Sequence, residues 1–178
     1  EVSVLLDYLK VLDNARQDLA LTAVLTSPFA GLTAAELSVI RLAYPNQLFY
    51  EAVEGFCSLS PEEIPETVDK KQAIQVQEKL RKFFEVLDHF REILPYTAIH
   101  DLLAEIIDKT GYGLFISAMP GGAQRQANVE MLVEKARAFE GTSYKGLFNF
   151  VRYIEQLKKY DVDYSEASII DEQDDTVR

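Results

Sequence analysis

Apolar residues recur along this chain at helical spacing, and the breaks between them coincide with proline, glycine or capping residues. The stretch VSVLLDYLKVLD (2–13) predicts a first helix that ends at Asn14. DLALTAVLT (18–26) predicts a second, stopped at Ser27-Pro28 because the residue before a proline is pushed out of the α region. In GLTAAELSVIRLAY (31–44), Thr33 followed by Glu36 forms a capping box, each side chain satisfying an amide that the helix start leaves open. QLFYEAVEGF (47–56) predicts a short helix, and CSLSPEEIPET (57–67) a loop with two prolines.

The strongest periodic signal runs from Thr67 to Leu94. Val76, Leu80, Phe83, Leu87, Phe90 and Leu94 follow one another at alternating intervals of four and three, so they form one stripe on one helix. At 28 residues that helix would be about 40 Å long. Such a stripe is a core seam. Pro95 should end it, and Thr97 is placed to cap the next helix, AIHDLLAEIIDKTG, with Gly111 just past its end. YGLFISAM (112–119) is a short apolar piece, a helical turn or a buried segment. Two more helices are predicted at 124–139 and 144–160. The first would bury Val129, Leu132, Val133, Ala136 and Phe139, the second Leu147, Phe150, Val151, Ile154 and Leu157. No repeat appears at solenoid periods. The expectation is an all-α fold, an irregular bundle of about seven to nine helices, with the domain at 1–160 and an acidic connector at 161–178.

Composition supports a packed body: 178 residues, 48% apolar and 26% charged, with only six prolines and eight glycines. The net charge of −11 and pI near 4.6 argue against strong nucleic-acid binding driven by overall charge. The charge is uneven, however. Ala118 to Tyr160 carries seven Lys/Arg against four Glu, a local +3, which leaves −14 for the remainder. The segment after Tyr160, DVDYSEASIIDEQDDTVR, holds seven acids and one Arg, the composition of a solvated connector. A single Cys, Cys57, excludes an internal disulfide and a cysteine-based zinc site, as suits a reducing cytoplasm. No membrane-crossing run or signal peptide is visible, so no membrane partner is expected. The chain starts without Met and stops at DDTVR, and is expected to be a piece of something longer.

Candidate chemistry centres on AMPGGAQRQANVEMLVEKA (118–136). A Pro-Gly-Gly turn that opens a helix invites comparison with phosphate-binding loops. A P-loop requires Lys-Ser/Thr after its second glycine, and Gly122 is followed by Ala123-Gln124; no strand precedes it, and no dinucleotide fingerprint is present. Gly121 and Gly122 are therefore expected to shape a plain helix start. His89 and His100 lie eleven apart without zinc-ligand spacing, and Asp171, Glu172, Asp174 and Asp175 sit in the acidic tail with no scaffold to fix a metal. No base is placed to activate a Ser or Cys nucleophile, so neither catalytic nor metal-binding residues are assigned. The last helix is more informative. Lys145, Asn149, Arg152, Gln156 and Lys159 repeat at four-three spacing opposite the apolar face, with no acid among them. Cations and amides so placed can follow a phosphate backbone, although such a stripe is also how a solvated face looks. Arg125 and Asn128, three apart on the preceding helix, could anchor a neighbouring segment or reach a nucleic-acid backbone.

Two stretches carry a family likeness. LLDYLKVLDNARQDLALTAVLTSPFAGLTAAELSVIR (5–41) and AMPGGAQRQANVEMLVEKARAFEGTSYKGLFNFVRYIEQL (118–157) resemble the AddA/RexA subunit of bacterial ATP-dependent helicase–nucleases, UvrD-like superfamily 1 helicases, between motifs IV and V. The likeness is weakest from Cys57 to Phe90. The family pattern carries proline where this chain has Ala15 and Ala20. The resemblance implies an all-α insertion comparable to the 2B subdomain of those helicases. It also implies a parent that uses ATP and Mg²⁺ to unwind DNA, degrades it with a RecB-type nuclease domain, and pairs with an AddB/RexB-type subunit in double-strand break repair and recombination. The piece itself would be a non-catalytic DNA-handling domain, binding duplex DNA near a fork or end only weakly when isolated. From another class, the alternative is an α-helical protein–protein interaction module with no DNA contact.

Overall fold

The computed structural model describes residues 1–159, and within them every regular element is helical. The elements are α1 (Val2–Asp13), α2 (Asp18–Leu25), α3 (Ala34–Ala43), α4 (Phe49–Ser58), α5 (Lys70–Ile93), a 3-10 turn (Leu94–Tyr96), α6 (Ile99–Lys109), α7 (Tyr112–Ser117) and α8 (Gly122–Glu140). A ninth α-helix, α9, occupies 147–159. The acidic connector expected at 161–178, with its candidate carboxylates, lies outside the described residues.

The seam on α5 is the spine of the core. Val76, Leu80, Phe83, Leu87 and Phe90 are all buried, joined by Ala73 one turn earlier. α5 packs against α1, α3 and α4. Tyr8 of α1 sits against it, its ring edge-on to Phe83 (6.3 Å) and Phe90 (6.4 Å) and 4.4 Å from Phe29. The Tyr8 hydroxyl is buried without a partner, and burial drives its ionisation far above the usual phenol range. Phe29 continues the stack onto Tyr112 of α7 (4.8 Å, 13°), which ties the first half of the chain to the second. There α8 packs on α6, α7 and the start of α1.

Both ends of α5 differ from the sequence expectation. α5 begins at Lys70 rather than Thr67, because Pro65 and Val68 close a turn (Val68 N to Pro65 O, 3.0 Å) and the Asp69 carboxylate accepts the Gln72 amide at 2.8 Å. At its other end Leu94 enters the 3-10 turn and is only partly buried. Thr97 does not cap α6. Its hydroxyl donates to Ile93 O (2.8 Å), and the N-cap position falls to Ala98, which has no capping side chain. The Ile99 amide is met instead by the Glu140 carboxylate at the far end of α8. The capping box at Thr33 and Glu36 is present in full. Gly111, in the left-handed region at φ 68°, ends α6 as expected. Where the family pattern has proline, Ala15 lies between α1 and α2 and Ala20 in the first turn of α2, positions with no intrahelical amide bond to lose.

Several helix ends are completed by side chains far away in sequence. The Asp18 carboxylate at the start of α2 accepts the amides of Phe49 (3.3 Å) and Tyr50 (3.4 Å), capping α4, whose own N-cap is Leu48. At the other end of α4, Nε2 of the buried Gln77 donates to Phe56 O (2.8 Å) and Leu59 O (2.9 Å). Arg91 reaches Val11 O at the end of α1 (3.2 Å). Lys79 binds both Gly31 O (3.0 Å) and Glu36 (2.8 Å), fastening α5 to the capping box of α3.

Two outcomes follow for stability. Gln77→Leu keeps the side-chain volume but strands Leu59 O and leaves Phe56 O only the long contact from the Leu59 amide (3.4 Å), so urea unfolding should show a loss of about 1–3 kcal/mol. Glu78→Ala on the exposed neighbour should stay within about 0.5 kcal/mol. For Glu36, burial pushes the carboxyl up, but Lys79 and Thr33 outweigh it and hold it below its ordinary value of 4.5. A depressed folded value gives stability that is complete above the unfolded value and lost as the pH falls through the folded one. The acid limb of a pH–stability profile should therefore be shallower in Glu36→Gln than in the parent chain.

Candidate nucleic-acid interface

The Pro-Gly-Gly turn is shaped by packing. Gly121 adopts φ 71°, a left-handed conformation in open space, while Gly122 is buried, and a Cβ there would lie 2.1 Å from Ser117 O. One glycine supplies backbone freedom and the other lets α8 start directly against the end of α7. Without a Lys-Ser/Thr pair after Gly122, the turn does not fit a P-loop.

Arg125 and Asn128 converge one turn further along on a single carboxylate. Arg125 Nη1 donates to Glu1 Oε2 at 2.9 Å and Asn128 Nδ2 to Glu1 Oε1 at 2.7 Å. Arg125 Nε also holds Pro120 O (3.1 Å), and Tyr112 Oη donates to Glu1 O (2.9 Å). The Asn128 hydrogen bond lowers the Glu1 carboxyl below its usual range; burial opposes that shift and Arg125 adds to it. Of the two roles left open by sequence, the structure shows the anchor: these residues clamp the start of α1 onto α8.

A second polar cluster carries no local sequence signal. His100 Nδ1 and the Ile99 amide both meet the Glu140 carboxylate, so the end of α8 holds the start of α6. His89 is exposed beside Lys109 (2.7 Å) and Glu105 (3.7 Å). Among the described residues, no group of three or more His, Cys, Asp or Glu side chains is placed to hold a metal. Burial pushes the Cys57 thiol up to about 11, which keeps it protonated and weakly nucleophilic at neutral pH.

The remaining candidates lie at the end of the described chain. Lys145, Asn149, Arg152, Gln156 and Lys159 are all exposed, while Leu147, Phe150, Val151 and Ile154 on the opposite side are buried; Val133 and Leu157, also expected in the core, are only partly covered. The helix begins at 147, not 144, because Gly146 takes φ 92° and the Thr142 hydroxyl accepts the Tyr144 amide in a turn (3.3 Å). Lys145 is therefore off the helix. Its ammonium donates to Glu140 O at 2.6 Å, closing the end of α8, and its own carbonyl accepts from Asn149 Nδ2 (2.7 Å). Arg152 lies over the exposed ring of Phe148, 5.7 Å from its centre. The one acid in 147–159, Glu155, pairs with Lys10 of α1 at 2.7 Å. The exposed face thus carries cations, amides and aromatic rings: Tyr144, Phe148 and Tyr153. Charge and amide spacing, the signal that marks the ridge in the sequence, passes over these aromatic positions.

No protein-family model matches the chain. Curated relatives do, from end to end. The chain is 39% identical to the A-type subunit of the ATP-dependent helicase/nuclease from Lachnoclostridium phytofermentans, all of it aligning with 15% of that protein. The same-named proteins of Oceanobacillus iheyensis (39%) and Lacticaseibacillus casei (37%) match it over its full length and 14% of theirs. The chain thus spans roughly a seventh of the length of these relatives.

The two glycines should respond differently to substitution. Gly121→Asn should be nearly neutral in thermal unfolding, since asparagine visits the left-handed region in open space. Gly122→Ala should cost about 1–3 kcal/mol by forcing backbone apart.

Proposed function

Because the chain belongs, over the stretch it covers, to the family of A-type subunits of ATP-dependent helicase/nucleases, we propose that it is a non-catalytic domain that positions duplex DNA for a motor carried elsewhere in the parent protein. The observation that carries this reading is the exposed face around α9, where Arg152, Lys159, Asn149 and Gln156 stand together while Glu155 is turned to Lys10. Cations and neutral donors in one ridge suit a phosphate backbone without reading sequence. In this reading the body is a 2B-like insertion. The parent would bind ATP and Mg²⁺ through residues outside this stretch, and would work with an AddB/RexB-type partner on double-strand breaks in repair and recombination.

A second reading has its own observation. Leu114 and Phe115 of α7 are 78% and 46% exposed, side by side, a small apolar patch of the kind that docks another protein. These residues belong to α7, whereas the ridge lies on α9.

The test is a titration of the chain with a forked duplex over a salt series. With two or three phosphate contacts, affinity should fall roughly 10- to 50-fold between about 50 and 200 mM salt. Arg152→Glu with Lys159→Glu should abolish binding. Lys145→Glu is a poor probe, because it would set a carboxylate against the carbonyl end of α8 and damage the helix. Salt-independent binding, or binding untouched by the double charge reversal, overturns the proposal.

A further inference from the structure

Beside the ridge lies a cleft of about 330 Å³ lined by Phe139, Tyr144, Asn149, Arg152, Tyr153 and Gln156. We infer that this cleft captures an unpaired base of a DNA single strand, the strand's phosphates running along Arg152 and Lys159. The inference rests on the proposed DNA-handling role and specifies which form of DNA the face holds most tightly.

Size is the first argument. The volume is at the small end of the range of small-molecule pockets, about 300–1,000 Å³, so it admits one flat ring system and excludes a double helix. Lining chemistry is the second. Tyr144 is 70% exposed and Tyr153 36%, two aromatic side chains that border the cleft and remain open to the surface. Phe139 is buried and backs Tyr153, 5.5 Å away at 31°, so the second ring is held from behind. Arg152, which lines the cleft, lies over the Phe148 ring, 5.7 Å from its centre, so its guanidinium is held at the rim. Bases in a duplex have both faces covered by their neighbours, whereas an unpaired base can stack on such rings.

The polar groups are the third argument. Asn149 and Gln156 both border the cleft, and amide side chains present a donor and an acceptor to a base edge. One Asn149 N–H is committed to Lys145 O, which fixes the side chain and leaves its oxygen and its second N–H for a ligand. With Arg152 and Lys159 alongside and Glu155 paired elsewhere, the electrostatics suit a polyanion whose bases turn inward.

Fluorescence anisotropy of the 178-residue chain with labelled DNA tests this. The probes are a thymidine strand of about 20 nucleotides, longer than one site, the same strand with abasic residues, a blunt duplex of equal length, and free thymidine monophosphate. The base-bearing strand should bind most tightly. Tyr144→Ser and Tyr153→Leu (the latter retaining apolar cover for Phe139) should each weaken it about 5- to 150-fold, the worth of one stacked base, with circular dichroism unchanged. The same variants should leave the abasic strand and the duplex nearly unaltered. Equal affinity for abasic and base-bearing strands overturns the inference, as does indifference to both tyrosine variants, or free nucleotide binding as tightly as the strand. In each case the broader role survives if Arg152→Glu still weakens the duplex. Absence of binding to every probe overturns both.

Discussion

The structure depends on how its helix ends are satisfied. Each α-helix leaves its first amides and last carbonyls without intrahelical partners, and most helices here are too short to be stable alone. Asp18 supplies the start of α4 from 31 and 32 residues away, Gln77 its end from 21, Arg91 the end of α1 from 80, and Glu140 the start of α6 from 41. Each such bond completes a helix and, in the same stroke, fixes where that helix lies against another. The apolar core supplies cohesion without direction, and these polar contacts supply register.

That division explains what could be read from the sequence. The α5 seam from Val76 to Phe90, the capping box at Thr33 and Glu36, the stop at Ser27-Pro28 and the turn at Gly111 are local patterns, each set by intervals of about four residues, and each is found as expected. Where capping was non-local, local reading failed. Thr97 had the right residue type and place to cap α6, yet Glu140 arrives from α8 and Thr97 turns back to Ile93. Gln77 lies next to the seam residue Val76 and looks like an ordinary polar helix residue; its burial is intelligible only once the end of α4 is known to lie against it. The start of α9 was misplaced for a related reason, since Tyr144 and Lys145 suit a helix but Gly146 adopts a positive φ between them and it.

At the candidate site the ridge residues were legible and their surroundings were not. A four-three stripe of cations and amides is visible from spacing alone. That Lys145 is spent on the end of α8, that Glu155 is drawn off by Lys10, and that three aromatic rings share the face are facts of packing. Arg125 and Asn128 show the opposite outcome. Their spacing was equally compatible with anchoring and with DNA contact, and the Glu1 carboxylate occupies both. A guanidinium and an amide already paired with a carboxylate are poorly placed to recruit a phosphate, so electropositive character on this side is cancelled while that around α9 remains.

The sequence-wide excess of acid gives this asymmetry a physical consequence. The chain's net charge of −11 repels DNA at long range, so attraction needs a locally basic surface, and screening limits its reach to roughly one Debye length, about 8 Å at physiological salt. In the proposed role such a surface would bind in one orientation and let go readily, because few phosphates would be neutralised at a time. A domain that handles a track sliding past a motor needs both properties. Strong, uniform basicity would hold DNA better and obstruct its movement. In the proposed role, a narrow ridge would confine the contact to the place where the neighbouring aromatic cleft could also engage a strand.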